Sequence, residues 1–168
     1  NRLKYPQKFV LISLLFVLPL ALVMTSLIKE INSRIEFAQK ELYGDAYLRP
    51  LRSMLEHTLE NKTLADNYLS GNASLEEQLL TNQAKIDQDF EALKAVEQKF
   101  GASLQTAKNF NKLKESWQNL KGNMLRFDPR MSADLHIGLT KEIRGLISHV
   151  GDTSNLILDP DLDSYYLM

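Results

Sequence analysis

A chain of 168 residues is long enough to bury a core in one domain. Its 20 basic and 21 acidic side chains leave a formal charge of −1, so there is no nucleic-acid footprint. It contains no cysteine, which excludes disulfide scaffolds, thiolate metal sites and cysteine nucleophiles.

The chain begins with Asn1 rather than Met and is expected to be a fragment at its N-terminus. Arg2, Lys4 and Lys8 come first, with no acid among them. Then "FVLISLLFVLPLALVMTSLI", Phe9 to Ile28, carries no charge and is long enough to cross a bilayer as a helix. Pro19 is tolerable there, because a kinked membrane helix can re-satisfy its freed carbonyl. The basic residues lie on one side only, which places residues 1–8 in the cytoplasm, 9–28 in the membrane and 29–168 outside it. A cleaved signal peptide would have a shorter apolar region and an A-x-A site, which "ALVMTS" does not supply.

Beyond the membrane segment the apolar period is helical. Ile28, Ile31, Ile35, Ala38 and Leu42 form a heptad seam, and Leu48, Leu51, Leu55 and Leu59 continue it. The membrane helix is therefore expected to run outward unbroken until "SGN" at 70–72, where Gly71 can take the left-handed cap conformation. Within it, "YGDAYLRPLRSML" holds Tyr43, Tyr47, Arg49 and Arg52 around Pro50. That reads either as a kinked wall carrying cations for an anionic ligand or as a bend with two solvated arginines.

Ser74 and Glu77 read as a capping box for the next helix, in which Leu79, Ile86, Leu93 and Phe100 recur every seven residues. After Gly101, with Ser103 as a possible second cap, Phe110, Leu113, Trp117, Leu120 and Met124 form a seam shifted in phase. The shift means either a turn near Gly101 or a stutter in one long helix. Asp128-Pro129 breaks the chain again, and Ser132 can cap a last helix lined by Leu135, Leu139, Ile143, Ile147 and Val150. His57, His136 and His149 show no ligand spacing, so each is assigned a structural or solvated role. Trp117, on a seam, is assigned to the core.

The chain closes on "NLILDPDLDSYYLM". Asp159 as N-cap with Pro160 at the first helical position is a helix start, and Asp161 and Asp163 suit its positive dipole end. Asp159, Asp163 and Tyr166 share a helical face and could line a pocket between helices. A calcium loop is the weaker reading of the three alternate aspartates, because Ser164 stands where its sharp turn needs glycine. No nucleophile–base pair, phosphate loop or paired acid appears, so neither catalysis nor a cofactor nor a resident metal is expected.

"SHVGDTSNLILDPDLDSYYLM" closely resembles a signature in the extracytoplasmic sensory regions of bacterial transmembrane receptors, among them methyl-accepting chemotaxis proteins, sensor histidine kinases and membrane diguanylate cyclases. "KELYGDAYLRPLRSMLEH" and "NYLSGNASLEEQLLTNQAKIDQDFEALKAVEQKFGASL" resemble the same family in order, so the likeness covers nearly the whole chain. It implies further helices, a second membrane helix and a cytoplasmic output beyond Met168. The related nitrate- and nitrite-sensing helical domains carry a His-Arg pair where this chain has Asn61 and Lys62. One lysine does not replace a bidentate arginine clamp, although it leaves a cation in place.

The expected fold is all-α, a transmembrane helix continuing into a long antiparallel helical bundle. The expected function is ligand sensing by the extracytoplasmic part of a receptor in the cell membrane, of the chemotaxis type, with kinase or cyclase receptors and a non-sensing membrane-anchored scaffold as alternatives. Expected partners are the membrane, a second copy of the chain and a small anionic or zwitterionic ligand. Tyr47, Arg49, Arg52, Lys62, Asp159, Asp163 and Tyr166 are the candidate ligand residues.

Overall fold

The computed structural model describes residues 4–156, the side chain of Leu125 excepted. All four long elements are α-helices: α1 (Tyr5–Leu69), α2 (Glu76–Leu104), α3 (Ala107–Asn123) and α4 (Pro129–Thr153). One-turn 3-10 segments, Ala73–Leu75 and Met124–Arg126, precede α2 and follow α3. There is no strand among the described residues. The chain divides into two compact units, residues 1–39 and 40–168.

The first unit is one stretch of α1. It holds the one described helix long and apolar enough to cross a membrane. Its large apolar side chains, from Phe9 to Ile35, are exposed, including Ile28, Ile31 and Ile35 of the heptad seam.

The second unit is a closed four-helix bundle with antiparallel neighbours. Tyr47 meets Glu97 at one end of the α1–α2 pair and Asn61 meets Asn82 toward the other. Asp87 of α2 meets Lys121 of α3, and Lys112 of α3 meets Glu142 of α4. The ring closes where α4 returns to α1, with His136 at Asn61 and Ser154 at Gly44. The seams of α2 and α3 point inward as their periods require: Leu79, Ile86 and Leu93 face Leu113, Trp117 and Leu120 within one core, whereas Leu42 and Leu59 of the α1 seam are exposed. Burying each such aliphatic side chain contributes roughly 1.5–3 kcal/mol. On α4 the innermost residues are Leu139, Ile143, Leu146 and Val150, while Leu135 and Ile147 pack at the margin.

The helix ends explain the connections. α1 stays helical through Pro19 and Pro50 and stops at Leu69. Gly71 has φ 109°, its N–H bonds the Tyr68 carbonyl, and the Asn72 N–H reaches back to Asn67. That is the Schellman closure, which glycine enters without steric cost. The phase shift between the second and third seams is a true turn, but it lies at Gln105 and Thr106. Gln105 is left-handed at φ 54°, and the Thr106 N–H bonds the Gly101 carbonyl. Gly101 and Ser103 remain inside α2.

Two expected caps are displaced. The Ser74 hydroxyl bonds the Asn72 side chain inside the 3-10 turn, and α2 starts without a side-chain cap. α4 starts at Pro129, where Asp128 accepts from the Met131 N–H at 2.9 Å, so Asp128 and not Ser132 is the N-cap. An N-cap aspartate followed by proline at the first helical position is a local start signal that outcompetes a serine one turn on.

Candidate functional site

Of the residues proposed from sequence, Tyr47 points into the bundle and is fully buried. Its hydroxyl donates to Glu97 Oε2 at 2.5 Å, and the Thr106 hydroxyl donates to the same oxygen. Burial, reinforced by the Glu97 carboxylate, pushes the Tyr47 phenol far above its ordinary pKa, so it remains a donor. Arg49 and Arg52 point to solvent, and Arg49 spends its charge on Asp45 one turn earlier, at 2.7 Å. Lys62 is half-buried and pairs with Asp66 at 2.6 Å. These four side chains therefore do not line one cavity. Asp159, Asp163 and Tyr166 lie outside the described residues.

The polar groups that do converge lie elsewhere, in a layer across the core between α1, α2 and α4. Thr58, Asn61, Asn82, Ser132 and His136 are all buried. The His136 Nδ1 lies 2.7 Å from the Ser132 carbonyl oxygen, one turn back on α4, and its Nε2 lies 3.1 Å from Asn61 Oδ1. The Asn61 amide nitrogen donates to Asn82 Oδ1 at 2.8 Å, and the Asn82 amide nitrogen donates to Glu60 Oε2 at 2.7 Å. Four side chains on three helices thus form one continuous chain of hydrogen bonds from the core to the surface. Thr58 Oγ1, one turn before Asn61, finds no partner in the protein. Burial lowers the His136 pKa below the ordinary histidine value, with Asp66 opposing and Lys62 assisting the shift.

Glu60 also faces Lys85, Nζ to Oε2 3.7 Å. Beside them, Leu64, Gln78, Thr81 and Asn82 help line a cleft of about 260 Å³ between α1 and α2. This cleft reaches Asn82, a member of the buried layer. It presents the carboxylates of Glu60 and Glu77, the Lys85 ammonium and the primary amides of Gln78 and Asn82 together.

The other two histidines are structural. His57 Nδ1 pairs with Asp89 at 2.6 Å between α1 and α2. His149 Nε2 reaches the carbonyl oxygens of Leu104 at 3.0 Å and Gln105 at 3.1 Å, satisfying acceptors that the end of α2 leaves open. Trp117 is a core residue, as expected, and its Nε1 donates to Asp87 at 2.9 Å. Sequence reasoning missed the Asn61–Asn82–His136 layer. The available signal was polar residues standing at core positions of otherwise apolar helical seams.

Comparisons with family models, with curated proteins and with the solved structures found no match to this chain.

Proposed function

We propose that this chain is the ligand-sensing, extracytoplasmic part of a membrane-anchored receptor of signal transduction, of the methyl-accepting chemotaxis type. One observation carries the reading: α1 is a single helix that begins in an apolar, exposed stretch and ends as the bundle wall bearing Glu60 and Asn61. A receptor needs such a covalent link between a recognition layer and the membrane, and a bundle with two packings to bias. The resemblance of the "LRPLRSMLEH" and "LILDPDLDSYYLM" segments to bacterial sensory regions supports the same reading.

The recognition site is the α1–α2 cleft, and its ligand is a small zwitterion. The ligand's ammonium group meets Glu60, its carboxylate meets Lys85, and Asn82 orients it. Binding there pulls on the hydrogen bond between Asn82 and Glu60, and through Asn61 on the packing of α1 against α4.

Calorimetry on the 168-residue chain in lipid nanodiscs, with a panel of amino acids and short dicarboxylates, tests the site. An amino acid that binds the wild type and is lost from Lys85→Ala and Asn82→Ala supports it. No heat from any member, or binding indifferent to both variants, removes it. Topology is tested separately: a reporter fused after residue 60 that is active on the cytoplasmic side overturns the exported placement.

A further inference from the structure

The hydrogen-bond chain ending at Glu60 has a direction, and that direction constrains the proton on His136. A carboxylate only accepts. The Asn82 amide nitrogen must therefore face Glu60, its oxygen must face Asn61, and the Asn61 oxygen must face His136. His136 Nε2 then needs a hydrogen. The 2.7 Å contact of Nδ1 with the Ser132 carbonyl oxygen needs one too. Both demands are met only by imidazolium.

Neutral imidazole has one hydrogen for these two acceptors. Ser132 Oγ, at 3.4 Å, is too distant to replace the carbonyl contact, so Nδ1 keeps the hydrogen and Nε2 becomes an acceptor. The Asn61 amide must then turn its nitrogen to Nε2, and the Asn82 amide must turn its nitrogen to Asn61. That leaves the Asn82 oxygen against the Glu60 carboxylate, which must leave. Glu60 is half-exposed and already faces Lys85 at 3.7 Å, so it has a place to go.

We propose that Glu60, Asn82, Asn61 and His136 form a reversible relay: a proton on His136 holds Glu60 against Asn82, and its loss turns both amides over and releases Glu60 to Lys85. The proton comes from solvent to Nε2 and returns there, and no other bond is made or broken. The device couples pH to the contacts among α1, α2 and α4, whether or not the cleft takes a ligand.

The groups around it set its range. From α1, Asp66 favours the charged imidazole and Lys62 opposes it, and these two pair with each other. From α2 come Asn82 and, in the cleft beside Glu60, Lys85 and Glu77. From α4 itself, the Ser132 carbonyl oxygen favours the charged imidazole.

The test is side-chain nitrogen NMR of His136, Asn61 and Asn82 in the 168-residue chain in nanodiscs, from pH 7.5 to 4.5. In the relay, the Asn82 amide resonances follow the His136 midpoint although Asn61 stands between the two side chains in the hydrogen-bond chain. Glu60→Gln lowers that midpoint by about half a pH unit, roughly threefold in proton affinity. The same substitution has no such effect in an Asn82→Ala background, where the relay is cut. An equal shift in both backgrounds means the charge acts through space and overturns the proposal. So does an Asn82 amide that ignores His136, or a chain that unfolds before His136 titrates.

Discussion

Gly44 on α1 and Ser154 at the end of α4 are in such close contact that a Cβ on Gly44 would overlap the Ser154 side chain. Ser154 is fully buried, and Leu156 closes over the same glycine. This contact places the end of α4 one turn from Tyr47 of α1. The direction of α4 is thereby the opposite of one that would carry residues 154–156 toward Asn61. The segment holding Asp159, Asp163 and Tyr166 follows directly from this contact in sequence, outside the described residues.

Gly44→Ala is expected to push α4 away from α1 and cost about 1–3 kcal/mol, the usual range for overpacking. Gly145→Ala is the control. That glycine is exposed within α4 and its new Cβ would meet nothing within 4 Å. It should be stabilising by about 0.5–1 kcal/mol through helix propensity alone. Thermal unfolding of both variants followed by circular dichroism reads the two signs, and a neutral Gly44→Ala would refute the close approach.

Gln105 is held at φ 54° between α2 and α3. A side chain in that region costs roughly 1–2 kcal/mol, which glycine avoids. Part of the gain is returned as unfolded-state entropy, about 0.4–1 kcal/mol. Gln105→Gly should therefore raise stability by about 0.5 kcal/mol and Gln105→Val should lower it, measured as denaturation midpoints at constant slope.

His149 crosses from α4 to the open carbonyls at the end of α2. His149→Leu keeps the packing volume and removes the donor. A loss of about 1–2 kcal/mol is expected, as for a deprived acceptor that is partly buried. Amide hydrogen exchange should show it first at Leu104 to Thr106, and uniform exchange along α2 would count against a capping role.

Stability should also fall on acidification, and the sign follows from His136. Its pKa is lowered in the folded state from an ordinary 6.5 by burial. The folded chain therefore binds the proton less readily than the unfolded one. The contribution to stability is fully present above pH 6.5 and is lost as pH falls through the lower folded value. Chemical denaturation at pH 7.5, 6.5 and 5.5 should show a decline that His136→Gln reduces; an unchanged decline would assign it to other groups.

Arg49→Ala and Arg52→Ala should each change stability by no more than about 0.5 kcal/mol, because both are exposed and the Arg49–Asp45 pair is solvated. Tyr47→Phe should cost about 1–2 kcal/mol, because it leaves the Glu97 carboxylate with the Thr106 hydroxyl alone. Thermal melts of the three variants, run side by side, test whether these neighbours in sequence differ as their burial requires.

The elements of this protein were legible in its sequence because they rest on local chemistry. An uncharged apolar stretch, seams at helical spacing and the glycine after α1 act over a few residues each, and α1 ends where "SGN" says it must. The same local rules, applied to Asp128-Pro129 as they were to Asp159-Pro160, would have identified the true start of α4. What the tertiary structure alone decided is which polar residues meet. Asn61 lies 21 positions from Asn82 and 75 from His136, and no spacing rule links them. Their meeting follows from the order in which four helices pack around one core. Two arginines and a tyrosine close in sequence were parted for the complementary reason: Arg49 and Arg52 stand two and five positions from Tyr47, steps that carry a helical side chain to the opposite face, and burial favours the tyrosine inside while hydration keeps the guanidinium groups out.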